Sequence, residues 1–132
     1  MSLDIGVGDG SSLVPMRDEP SLSLEDDAIY SFLHPLFDRL RLQTDQYVDL
    51  YGDASFADWR LVALKRMLAQ ARDLAEAQLE TWEVHVGTQI TPVLRELWKP
   101  LSREKLLELI AQWERVVARA EELGRPVVCF GD

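Results

Sequence analysis

TWEVHVGTQIT, Thr81 to Thr91, is the stretch on which the fold turns. Trp82, Val84, Val86, Thr88 and Ile90 take one side of a period of two, and Glu83, His85, Gly87, Gln89 and Thr91 the other, the pattern of a half-buried strand. Downstream, Ser102 caps a helix whose buried side is filled by Leu106, Leu107, Leu109, Ile110, Trp113, Val116, Val117 and Ala120. Leu123-Gly124 followed by Pro126 ends it, because glycine takes the left-handed conformation and proline prevents continuation. The apolar run Val127 to Phe130 then reads as a second, buried strand. Between these elements Val93, Leu94, Leu97, Trp98 and Leu101 keep helical spacing, and Thr91-Pro92 can open a helix that Pro100 ends. Alternatively Thr91-Pro92 is a turn and Val93 to Lys99 folds back on Trp82 to Ile90. Two strands alone make a marginal sheet, which tips the reading toward this hairpin as the third strand.

Upstream, Ser23 can cap a helix whose first turn carries Glu25, Asp26 and Asp27 at the positive end of the helix dipole. Ile29, Phe32, Leu33, Leu36, Phe37 and Leu40 recur every three or four residues through about Leu42, and Pro35 inside this stripe predicts a kink. Gln43 to Ser55 reads as irregular, with Tyr47, Val48, Leu50 and Tyr51 beside a Gly52-Asp53 turn. A second helix is expected from Ser55, with Asp58 completing a variant capping box, to about Glu80. Its stripe is Ala57, Leu61, Leu64, Leu68, Ala71, Ala75 and Leu79.

The resulting fold class is α+β, with three main helices packed on a small, two- to three-stranded, mostly antiparallel sheet. At 132 residues, 47% hydrophobic and 28% charged, the chain suits one globular domain over residues 23–132. Residues 1–22 are expected to form a flexible acidic tail. Met1 to Asp27 holds seven acids and one base, a net of −6 out of −9, together with Gly6, Gly8, Gly10, Pro15 and Pro20. Leu13, Val14 and Met16 are the residues able to dock it locally. The single cysteine, Cys129, and the lack of a basic, apolar leader point to a reducing cytoplasm. Charges interrupt every apolar stretch, which excludes a spanning segment and leaves no membrane partner. After residue 27 the 13 bases are scattered among 16 acids, so nucleic acid is excluded as a partner as well.

TWEVHVGTQ, Thr81 to Gln89, and GRPVVCFGD, Gly124 to Asp132, together resemble segments of small uncharacterised bacterial proteins. The resemblance spans roughly Leu42 to Asp132. It supports the hairpin and implies no activity, cofactor or catalytic residue.

Few residues suggest chemistry. If the strands holding His85 and Cys129 pair, a thiol and an imidazole could meet as a minimal cysteine nucleophile, against the plainer reading of a buried Cys129 and a half-exposed His85. His34, next to Pro35, is expected to face solvent or form a local hydrogen bond. Two histidines and one cysteine without ligand spacing argue against a structural metal. Asp45, Asp49 and Asp53, four apart, would line one face of a helix, and with Glu83, Glu96 or Asp132 they would need to converge to make a cation or acid/base site. GVGDG, Gly6 to Gly10, lacks both the Walker lysine and the dinucleotide fingerprint, so no cofactor is expected.

Trp59, Trp82, Trp98 and Trp113, with Tyr30, Tyr47 and Tyr51, exceed what a core of this size needs. Trp98 and Tyr51 lie where periodicity is poorest, where a partner surface would blur the inside/outside pattern, against the plainer and favoured reading that the aromatics fill the core. The functional expectation is a non-enzymatic bacterial interaction domain, an acidic binder of the immunity or inhibitor kind that holds another protein, basic in character, through Asp45, Asp49, Tyr51, Asp53 and Trp98. Self-association into a homo-oligomer stays open. The alternative is a small enzyme using His85 with Cys129 or a carboxylate.

Overall fold

The computed structural model describes residues 2–90 and 92–131 and is α+β, with three helices and two antiparallel sheets. The order is β1 (Leu3–Val7), β2 (Ser21–Leu24), α1 (Asp27–Thr44), β3 (Asp53–Phe56), α2 (Trp59–Glu76), β4 (Thr81–Gln89), β5 (Arg95–Ser102), α3 (Arg103–Leu123) and β6 (Val127–Gly131). A four-stranded sheet runs β2-β1-β6-β3, and β4-β5 is a separate hairpin. Across the larger sheet Leu22, Ile5, Cys129 and Ala54 form one inward row, and Val7, Val127 and Phe56 another. The helices pack on this face, with Leu33, Phe37, Leu64, Leu68, Ile110 and Trp113 in the same core cluster.

The N-terminal residues are not a flexible tail. Leu3, Ile5 and Val7 are fully buried, and β1 lies between β2 and β6. Burying each such side chain stabilises the fold by about 1.5–3 kcal/mol, which outweighs the glycines' entropy. Two of those glycines serve close packing: a Cβ on Gly6 would sit 2.7 Å from Pro15 Cβ, and one on Gly8 2.6 Å from Val128 Cγ1. Gly8 and Pro15 thus lie against the side of the sheet that carries Gly6 and Val128, and Val128 is buried. Residues 8–20 are tied down by Met16 N–H donating to Val7 O (2.8 Å), Gly8 N–H to Pro126 O (2.8 Å) and Arg125 Nη1 to Asp9 O (2.8 Å). Arg119 Nε reaches Glu19 Oε2 at 2.7 Å. Met16 packs on the core, whereas Leu13 and Val14 stay exposed.

Helix starts fall later than expected, for a common reason. Leu22 and Leu24 are drawn into β2, so Ser23 faces outward, its hydroxyl donating to Asp4 Oδ1 at 2.7 Å, and Asp26 becomes the cap of α1, accepting from Ala28 N and Ile29 N. Ala54 and Phe56 are likewise drawn into β3, which begins within the stretch Gln43 to Ser55 expected to be irregular. Asp58, at φ 55, therefore precedes α2 and makes no side-chain cap bond, so the capping box from Ser55 does not form. The far end of α2 is Glu76, and Leu79 is exposed instead of completing the stripe. Helix α1 runs through Pro35 as one element. Helix α3 matches its reading: Ser102 Oγ accepts from Lys105 N, and Gly124 closes the helix at φ 64.

The hairpin reading of Val93 to Lys99 is correct, with β5 running from Arg95 to Ser102 and a register irregularity between His85 and Gly87. The expected turn at Thr91-Pro92 falls on Thr91, which lies outside the described residues. The single sheet joining this hairpin to the C-terminal strand is not formed. Val127, Val128 and Cys129 are buried on both faces, a central-strand environment, and β1 and β3 supply the two neighbours. The hairpin instead leans on α1 at its base, where Val84 and Leu101 are buried and the Trp82 ring meets Phe32 edge-on at 5.3 Å. Lys99 Nζ pairs with Asp27 Oδ2 at 2.8 Å there.

Candidate functional site

Away from its base the hairpin turns outward. Ile90 is 74% exposed, Val93 63%, Leu94 77% and Trp98 53%. The alternation of β4 holds from Trp82 to Val86, with Val84 buried near α1, and the irregularity between His85 and Gly87 then shifts it, so that Thr88 and Ile90 are exposed like Glu83 and His85. Trp98 is opposite His85 in the register, their rings 5.1 Å apart, and Glu83 and Glu96 flank this surface, both exposed.

The segment carrying Asp45, Asp49, Tyr51 and Asp53 returns along α1 and is not helical, so the four-residue spacing does not align the acids. Asp45 ends α1 in the left-handed conformation, with its N–H donating to Arg41 O at 2.8 Å. Val48 is buried, its carbonyl accepting from Tyr30 Oη at 3.3 Å, and Gln46 Oε1 accepts from Ser55 N at 2.9 Å. Asp49 Oδ1 accepts from Tyr51 N at 3.1 Å and Asp53 Oδ1 from Gly131 N at 3.3 Å. None of the three carboxylates forms an ion pair with the described residues. Tyr51 is 65% exposed, and Phe130 lies outward on β6 between Asp4 and Asp53 in the register. No hydrogen bond, ion pair or ring contact links Trp98 to the other four, so these five residues fall into an acidic, aromatic segment and a separate tryptophan on the hairpin.

His85 and Cys129 lie in different sheets. Cys129 is buried in the inward row of the larger sheet, and burial, with a smaller contribution from Asp53, pushes its thiol up to about 12. A thiol so placed is a packing residue, since the nucleophile is the thiolate. Glu83 and Glu96 are on the hairpin, apart from Asp45, Asp49 and Asp53; Asp132 lies outside the described residues. Among the described residues no three His, Cys, Asp or Glu side chains converge as metal ligands, and no helix is long and apolar enough to cross a membrane.

His34 joins a network whose longer reach has no signal in the sequence. Its Nε2 is 2.8 Å from Tyr47 Oη, thirteen residues on, while Nδ1 is 3.5 Å from Asp38 Oδ2 one helical turn away. Tyr30 lies edge-on to His34, and burial, with Tyr47 beside it, raises the Tyr30 phenol above its ordinary value. This network pins the returning segment to α1. Neither a family model nor a curated protein nor a solved structure matches this chain.

Proposed function

We propose that this chain is an interaction domain, an acidic binder of the immunity or inhibitor kind, which holds a basic protein partner. The observation that carries the reading is the hairpin: four large apolar side chains, Ile90, Val93, Leu94 and Trp98, are each more than half exposed on one short projection. An apolar patch bordered by charge is a usual mark of a protein-binding surface, and an aromatic such as Trp98 is the usual anchor. The sign of the partner follows from Asp45, Asp49 and Asp53, which form no ion pair with the described residues, and from the net charge of −9.

The experiment is capture from a lysate of the source cell by immobilised chain, followed by mass spectrometry and measurement of association and dissociation with the partner found. Trp98→Ala should speed dissociation, and replacing Asp45, Asp49 and Asp53 together by lysine should slow association. Capture that is unaffected by either change refutes the assignment of this surface. A partner that is acidic refutes its chemistry.

A further inference from the structure

Between α1 and α2 the surface opens into a groove of about 450 Å³, within the range of small-molecule sites. Its apolar base is Leu36, Leu40 and Met67, all buried, and Trp59, 57% exposed, lines it from the start of α2. Arg60 holds that indole in place. Its guanidinium lies 4.7 Å from the Trp59 ring centroid while its Nε donates to Thr44 O at 2.8 Å, bridging the end of α1 to the beginning of α2.

Arg39 from α1 and Arg66 from α2 also line the groove, and neither makes a hydrogen bond or an ion pair with the described residues. The helical spacing explains why. The positions three and four away from Arg39 are Pro35, Leu36, Leu42 and Gln43, and those around Arg66 are Val62, Ala63, Ala69 and Gln70, with no acid among them. By contrast Lys65, Arg72, Lys99 and Arg119 each face a carboxylate. In a chain with 23 acids and 14 bases, two unneutralised guanidiniums at one apolar groove form a local site of opposite sign.

We propose that this groove binds a small amphiphilic organic anion, its apolar body over Leu36, Leu40 and Met67 against Trp59, and its anionic group held by Arg39 and Arg66. Guanidinium groups bind such oxyanions through paired, charge-assisted hydrogen bonds, and the repulsion from distant acids is screened beyond about 10 Å at 0.1 M salt. The site uses neither the hairpin nor the segment from Asp45 to Asp53. Its failure would leave the protein-binding reading untouched.

The test titrates the full chain with 1-anilinonaphthalene-8-sulfonate and with its uncharged relative N-phenyl-1-naphthylamine. The expected result is saturable, one-to-one binding of the sulfonate with quenching of tryptophan fluorescence. The double substitution Arg39→Gln and Arg66→Gln should weaken the sulfonate by about tenfold or more and the uncharged dye by less than about twofold. Trp59→Ala should weaken both. Both arginines are exposed, and an unchanged thermal midpoint checks that the double variant remains folded. Sulfonate binding that does not saturate, that survives the double substitution, or that falls in parallel with the uncharged dye overturns the proposal.

Discussion

Gly131 and Cys129 show how little room the inner sheet leaves. A Cβ on Gly131 would lie 2.6 Å from Gly52 O and 2.7 Å from Leu50 O, both backbone atoms of the segment that Gly131 N–H binds. Gly131→Ala should therefore destabilise the protein by about 1–3 kcal/mol, the usual cost of overpacking, as read by denaturant midpoint. It should also loosen the Asp49 to Asp53 segment, visible as faster amide exchange there. An unchanged midpoint would show that residues 50–52 are not held against β6. For Cys129, burial at about pKa 12 predicts that a thiol reagent at pH 8 reacts with the native protein only as fast as the protein opens, and immediately in denaturant. Fast native labelling would place the side chain elsewhere. Nothing in the spacing of VVCF distinguishes a buried thiol from a reactive one; the difference comes from the strands on either side.

At the scale of elements, β1 is the decisive piece. Ile5→Asp would put an unpaired carboxylate between Leu22 and Cys129, and should abolish cooperative unfolding in a thermal scan. A chain lacking residues 1–20 should fail likewise, because the lost burial approaches the whole stability of an ordinary domain. The loop between β1 and β2 carries a pH dependence. The Asp9 carboxylate lies below its ordinary value through hydrogen bonds from Ser11 N and Ser12 N, and Glu19 through its hydrogen bond from Arg119. A depressed carboxylate contributes stability that is complete above its unfolded value, near pH 4, and is lost as pH falls through the folded value. Glu19→Gln should thus melt below the parent at pH 7, with the gap closing toward pH 3. A gap that persists in acid would show that the Arg119 pair is not its source. LDIGV and SLSL both alternate, Leu3, Ile5 and Val7 against Leu22 and Leu24, so the strands had a signal. Composition hid it: in so short a run, glycine and aspartate read as freedom and solvation. Only the approach of Pro15 and Val128 shows Gly6 and Gly8 to be packing residues.

For the whole molecule, the separation of the hairpin from the four-stranded sheet predicts that function and stability can be altered independently. Val93→Asp with Leu94→Asp changes exposed residues and should leave the thermal midpoint within the small range of surface substitutions, while abolishing capture of the partner. A large fall in the midpoint would mean that the hairpin is needed for the fold. Association should slow as salt rises from 50 to 500 mM, with dissociation changing less, because the acids act at a distance and the apolar anchors act in contact.

The chain by itself determined what depends on neighbours in sequence: the amphipathic stripes of α1 and α3, the Ser102 and Gly124 ends of α3, and the unbalanced charge, while it left Val93 to Lys99 between helix and hairpin. These follow from spacing and from capping within a few residues. Tertiary structure decided which strands lie together, that β6 joins β1 and β3 instead of β4, and that the acidic beginning of the chain is core. It also left Arg39 and Arg66 without an ion pair among the described residues at the groove lined by Trp59, and kept His85 and Cys129 apart. A strand's neighbour is chosen by the burial it completes on both faces, which is a property of residues more than a hundred positions apart.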